Sequence, residues 1–121
     1  QIHDPRFRPA AMVINTDPSW KPGRHWVAIY LPETGPWEYF DSYGGKPRVD
    51  FIRRFFKNKL FTVNTESLQS PASDVCGHYC IYYLVNRARG HAMDVIVSRF
   101  GKDAERNDED VYEFVRRHYP V

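Results

Sequence analysis

Apolar residues come in short β-branched or aromatic runs through the first half of this chain and at helical spacing through the second. Residues 11–15 (Ala-Met-Val-Ile-Asn) predict a short buried strand. Residues 26–31 predict a second strand, closed by Pro32. After the turn residues Glu33-Thr34-Gly35-Pro36, residues 37–41 predict a third, ending at Ser42-Tyr43-Gly44-Gly45. The last two form a hairpin, and a hairpin sets the start of its first strand beside the end of its second. His25 and Asp41 are therefore predicted neighbours at one sheet edge. Residues 60–64 predict a fourth strand.

Four helices complete the pattern. Asp50 is placed to cap a helix over residues 51–58, with Phe51, Ile52, Phe55 and Phe56 on one face. A longer one is predicted from Cys76 to about Ala88, ended by Gly90. Residues 92–97 read as a short helix. Asn107 or Asp108 caps the last, which presents Val111, Phe114 and Val115 and carries Arg116, Arg117 and His118 near its negative end. Residues 1–10, with Pro5 and Pro9, read as an extended lead-in, and residues 16–23 as a loop. There are no internal repeats or low-complexity segments.

A chain of 121 residues suits one domain, 1–121, with a single modest core. Because it does not begin with Met, it reads as a trimmed or mature fragment. No apolar run approaches the about 18 residues that span a bilayer, and no signal peptide or lipidation motif is visible. Cys76 and Cys80, one helical turn apart, are poorly placed for a disulfide, so a reducing compartment is expected. Net charge is +2, which does not by itself indicate nucleic acid. Lys46, Arg48, Arg53, Arg54, Lys57 and Lys59 nevertheless crowd one short stretch. That stretch is either a solvated helix face or a patch for an acidic partner such as a phosphate backbone.

The candidate chemistry centres on Cys76, where a turn-rich segment becomes a helix. A thiol there meets unpartnered backbone N–H groups and the positive end of the macrodipole, and both favour the thiolate. The plain alternative is a small buried cysteine on an apolar face. A thiolate nucleophile needs a base, a group to hold that base, and donors for the oxyanion. Of the five histidines, His78 is turned about 200° from Cys76 on the same helix. His3 and His118 lie at the chain ends, and His91 follows the helix-ending glycine. His25 remains, already paired with Asp41. Taken singly, His25 and Asp41 also read as structural residues of a strand end and a turn. Cys76, His78, Cys80 and His91 do not close a tetrahedron, so no metal site is expected.

The order His25-Trp26, then Phe40-Asp41-Ser42-Tyr43-Gly44, then Gln69, then Cys76-Gly77 and a helix with Cys80 resembles the adenovirus-protease family and its relatives, the SUMO-type proteases. The seven-residue step from Gln69 to Cys76 and the segment Val13-Ile14-Asn15-Thr16 resemble the adenoviral branch. The resemblance runs from about Pro5 through the last helix. It implies an α+β fold with a papain-like arrangement, in which a small, mostly antiparallel sheet packs against a central helix bearing the nucleophile. It further implies Cys76 as nucleophile, His25 as general base and acid, and Asp41 holding the His25 tautomer. Gln69 and the backbone N–H of Cys76 would be the oxyanion donors. Trp26 would cover a narrow groove, and Gly77 would let the substrate backbone approach.

The implied activity is a cysteine endopeptidase cutting after glycine-containing sites and maturing precursors of viral or transposon particles. It would act in the virion and the host nucleus or cytoplasm, without secretion. The rival readings are a deconjugating protease for SUMO, ubiquitin or a related modifier, and an inert binding domain of the same fold. Three departures bear on this, the first being that the N-terminal portion preceding the first strand in the family is short or absent here. The adenoviral enzyme usually has Glu where this chain has Asp41, and no cysteine between Asp41 and Gln69 is available to bind an activating peptide covalently. No resident cofactor is expected. DNA, through the basic 46–59 stretch, or a peptide is left as a candidate activator.

Overall fold

A computed structural model describes residues 8–16 and 25–120. The elements run β1 (Ala10–Asn15), β2 (Trp26–Leu31), β3 (Trp37–Phe40), α1 (Asp50–Phe56), β4 (Phe61–Val63), α2 (Cys76–Ala88), α3 (Met93–Ser98) and α4 (Ala104–His118). The strands form one sheet in the order β1-β2-β3-β4, antiparallel except for the parallel pair β3–β4. The fold is α+β, as expected.

β2 explains the layering. A strand exposes alternate side chains to opposite faces. Val27, Ile29 and Leu31 point to one face with Trp37 and Tyr39, where Ile52 and Phe56 of α1 cover them. Ala28 and Phe40 point to the other, against Tyr79, Cys80 and Tyr83 of α2, with Ile96 of α3 and Val111 of α4 in the same core. The Phe40 and Tyr83 rings stack with centroids 4.5 Å apart. The helix carrying Cys76 is thus seated on the middle of the sheet, one layer from the hairpin.

Some sequence expectations shift. β1 is a half-buried edge strand with Val13 40% exposed, because only β2 pairs with it. Asp50 does not cap α1: the N-cap is Val49, and Asp50 stands in the first turn. On the expected apolar face of α1, Phe51 is exposed while Ile52 and Phe56 are buried. α4 begins earlier than its apolar pattern suggests. Its cap is Asp103, whose side chain accepts the Arg106 N–H, and Asn107 and Asp108 lie inside the helix. The lead-in residues 1–7 and most of the 16–23 loop lie outside the described residues. Arg8, just inside, donates to the Pro32 and Gly35 carbonyls.

One buried charge pair pins α2 to the sheet. Arg87 donates in bidentate fashion to Glu38, 2.8 Å at both contacts, and lies over the Tyr30 ring, while the Tyr83 hydroxyl donates to the same carboxylate. Removing one member of a buried pair leaves the other uncompensated, which costs several kcal/mol. Arg87→Met should therefore lower stability by about 3 kcal/mol, and Arg87→Met combined with Glu38→Gln should lower it less. Urea denaturation that found the single variant at least as stable as the double would contradict this.

Candidate active site

The site is assembled at the open end of the β2–β3 hairpin. Ala28 pairs with Phe40, Ile29 with Tyr39 and Tyr30 with Glu38. This register brings His25, just before β2, to Asp41, just after β3. His25 Nε2 lies 3.1 Å from Asp41 Oδ2. The Cys76 side chain acts on the same imidazole, raising its pKa alongside Asp41. The pairing predicted from hairpin geometry is present.

Cys76 is the first residue of α2, after an N-cap (Val75) that offers no side-chain hydrogen bond, and no acidic residue stands in the first turn. The positive helix end is therefore left to the sulfur. The backbone N–H of Trp26 adds a direct donor to Cys76 Sγ at 3.3 Å. Neither cysteine forms a disulfide. Burial pushes the Cys80 thiol well above its ordinary range, and the Cys76 charge adds to this. The two sulfurs thus differ sharply in setting. Cys76 faces an imidazole at a helix mouth, and Cys80 faces the apolar core.

The hydrogen bond to Asp41 is the largest influence on His25, followed by that to Cys76. Partial burial opposes both, and the two negative charges add to them. Together they raise the imidazole from 6.5 to about 9. A cationic ring between a carboxylate and a sulfur is thereby favoured across the neutral range. Tyr43 covers it, with ring centroids 5.5 Å apart.

Asp41 is held on every side. Its Oδ1 accepts the Tyr43 N–H at 2.8 Å. Asn64, directly after β4, grips its main chain: Oδ1 accepts the Asp41 N–H at 3.0 Å, and Nδ2 donates to the Asp41 carbonyl at 2.7 Å. The Asn64 carboxamide continues the β3–β4 ladder one residue past its end. Gly44, at φ +81°, makes the turn beyond; a Cβ there would stand 2.7 Å from the Thr65 carbonyl oxygen.

Gln69, 2% exposed, sits in the segment leading to α2. Its Nε2 donates to the Ser73 carbonyl at 3.1 Å and the Ser73 hydroxyl at 3.0 Å, and its Oε1 accepts from Ser42. The residues expected to cap α4 instead brace this segment. Asn107 Nδ2 donates to the Leu68 carbonyl at 3.1 Å, and Asp108 accepts from the Ser70 N–H at 3.3 Å and the Tyr79 hydroxyl at 2.7 Å. Asn64, Asn107 and Asp108 had no functional signal in the sequence, since what they hold lies far from them along the chain.

A groove of about 880 Å³ opens beside the imidazole. His25, Asp41 and Tyr43 form part of its lining, with Arg48 and Val49 from one segment and residues 71–74 from another. Cys76, 1% exposed, is not among the lining residues. Trp26 and Gly77 are likewise outside the lining. The Trp26 side chain is 37% exposed, and a Cβ at Gly77 would meet open space. His78 turns to α4 and stacks on Tyr112. Of the basic stretch, Arg53 pairs with Asp50 at 3.4 Å and Lys59 lies over the Trp37 ring. Among the described residues no group of His, Cys, Asp and Glu is arranged to hold a metal ion, and no helix is long and apolar enough to cross a membrane.

A helix-borne thiol near a hairpin-borne imidazole–carboxylate pair, on a small α+β frame, is compatible with a papain-like arrangement. The chain's relatives are viral cysteine and thiol proteases. It is 33% identical, over 115 aligned residues, to a SUMO-1 cysteine protease of African swine fever virus, covering 84% of this chain and 40% of that protein. It is 30% identical over 100 residues to a protein named as a thiol protease of Acanthamoeba polyphaga mimivirus (73% of this chain, 33% of that protein). It is 26% identical over 143 residues to the protease of porcine adenovirus A serotype 3 (88% of this chain, 69% of that protein). The chain thus spans about 40% of the length of the African swine fever virus relatives it matches. No family model matches it.

The folded imidazole value lies above the unfolded one. Protonated His25 therefore stabilises the fold fully below about pH 6.5, and this contribution is lost as pH rises through about 9. An NMR titration of His25 should give a value near 9 in the wild type and a clearly lower one in Asp41→Asn. An unchanged value in the variant would remove Asp41 as the main cause.

Proposed function

We propose that this chain is the catalytic portion of a cysteine endopeptidase, with Cys76 as nucleophile, His25 as general base and acid, and Asp41 holding the ring. The observation that carries the reading is the His25 imidazole, 3.1 Å from Asp41 and raised to about 9 by Asp41 and then by the Cys76 side chain. In the proposed reaction, the Cys76 thiolate attacks the scissile carbonyl carbon and forms a C–S bond while the carbonyl electron pair moves to oxygen. Collapse of this oxyanion breaks the C–N bond, and protonated His25 gives its proton to the departing amine. Water then attacks the thioester, His25 accepts its proton, and Cys76 leaves as thiolate. Gln69 and the Cys76 backbone N–H are the proposed oxyanion donors.

The proposed substrate has glycine beside the cut. Trp26, whose N–H meets the Cys76 sulfur and which is 37% exposed, would flank a substrate chain at the sulfur rather than in the neighbouring groove, and the bare backbone of Gly77 would let that chain lie close. The protein substrates would be viral structural precursors, processed in the virion or the host cell. The name of the African swine fever virus relative favours a second reading, removal of a ubiquitin-like modifier. The exposed cations Lys46, Arg48, Arg54 and Lys57 leave DNA, or a peptide, as a candidate activator.

Cys76→Ala and His25→Ala should each abolish hydrolysis of a Gly-Gly fluorogenic peptide with nearly unchanged melting; turnover retained in Cys76→Ala would refute the nucleophile. Asp41→Asn should lower turnover by about 10²-fold, because the ring loses its fixed orientation. The wild-type rate should fall on the alkaline side with an apparent pKa near 9, where His25 loses its proton. Iodoacetamide at pH 6 should label Cys76 ahead of Cys80. Full-length SUMO and ubiquitin substrates beside the peptide decide between the two substrate classes.

A further inference from the structure

Ser42, next to Asp41, takes no part in the chemistry just described, yet it is 1% exposed and engaged with Leu68 and Gln69. Its carbonyl accepts the main-chain N–H groups of Leu68 at 2.7 Å and Gln69 at 3.2 Å. Its hydroxyl donates to Gln69 Oε1 at 2.5 Å. On the other side of the carboxamide stands the Ser73 carbonyl, 3.1 Å from Nε2.

A glutamine carboxamide is almost the same shape after a half-turn that exchanges oxygen and nitrogen. For an oxyanion donor the two orientations are opposite in effect, since one offers N–H to the developing charge and the other offers a second negative oxygen. The Ser73 carbonyl can only accept, so it demands Nε2 on its side. The Ser42 hydroxyl supplies the donor that Oε1 requires when buried. Without it, Oε1 is a buried acceptor with no partner, and the carboxamide loses the bond that holds its oxygen end in place.

We propose that Ser42 is a positioning residue that holds the Gln69 amide in place through its Oε1, in the orientation the Ser73 carbonyl selects. The dipeptide Asp41-Ser42 then sets both halves of the machinery, the imidazole through Asp41 Oδ2 and the oxyanion donor through Ser42 Oγ. The inference rests on the reading of Gln69 as that donor.

Two measurements on the same protein separate the possibilities. Peptide hydrolysis passes through an oxyanion, whereas alkylation of Cys76 by iodoacetamide needs only the activated thiolate. Ser42→Ala should lower kcat for a Gly-Gly aminocoumarin peptide by about 10-fold or more with little change in KM, against the about 10²–10³-fold known for losing an oxyanion donor outright. The alkylation rate of Cys76 and the NMR titration of His25 should stay at wild-type values. Ser42→Thr, which keeps the hydroxyl, should restore most of kcat. Ser42→Ala added to Gln69→Ala should cost little beyond Gln69→Ala alone, because both remove one function.

A fall in alkylation equal to the fall in kcat would overturn the inference, since Ser42 would then act through Asp41 or the fold. Wild-type kcat in Ser42→Ala beside a crippled Gln69→Ala would also overturn it, while leaving the oxyanion reading intact. Wild-type kcat in Gln69→Ala would remove the oxyanion reading itself, and the inference with it. Should Ser42→Ala fail to fold, Ser42→Cys, close in size and a much weaker donor, carries the same comparison with the same outcomes.

Discussion

The hydrogen bond from His25 to Asp41 joins the two free ends of a hairpin, the place where a sheet is least constrained. The β2–β3 ladder runs to Ala28 with Phe40, short of these two residues. The hairpin sets the approach, and other elements must set the precision. Asn64 does so from β4 by gripping both main-chain groups of Asp41, and Tyr43 does so through its N–H to Asp41 Oδ1. With the carboxylate fixed, the imidazole has one well-defined partner and can turn its other nitrogen to the helix.

The polar interior follows from that requirement. Asp41, Ser42, Asn64, Gln69 and Asn107 are all buried, and each is bonded to the loops running from β3 to α2. Buried polar groups are costly unless paired, and no buried side-chain N or O among the described residues lacks a partner. Such a network admits few arrangements, because moving one member strands another. A loop held only by apolar contacts could slide by an ångström; one held through Leu68, Gln69 and Ser70 cannot do so without breaking several bonds. Glu38 with Arg87 and Tyr83 performs the same service for α2.

The chain's two cysteines are separated by one helical turn and by very different surroundings. Cys80 faces the apolar layer between α2 and the sheet, where charge is disfavoured. Cys76, one turn earlier, meets the Trp26 N–H, the helix mouth and an imidazole raised to about 9. Position along the helix axis decides which sulfur meets polar partners and which meets the apolar core.

Much of this was legible in the residues themselves. The short apolar runs 26–31 and 37–41, bounded by turn residues, marked the hairpin, and hairpin geometry brought His25 to Asp41. Gly90 after a long apolar run marked the end of α2, and Cys76 at a loop-to-helix junction marked its start. These are local properties, decided by side-chain period, turn residues and pairing rules. The cap of α4 was misread because Asn107 and Asp108 are good capping residues in isolation. Their side chains are instead drawn to the Leu68–Ser70 segment, some 38 residues earlier in the chain. The edge position of β1, the parallel pairing of β4, the grip of Asn64 and the tie from Ser42 to Gln69 were likewise decided only by tertiary structure. Each joins residues that are distant in sequence, and no local period or propensity encodes which distant carbonyl a buried carboxamide will find.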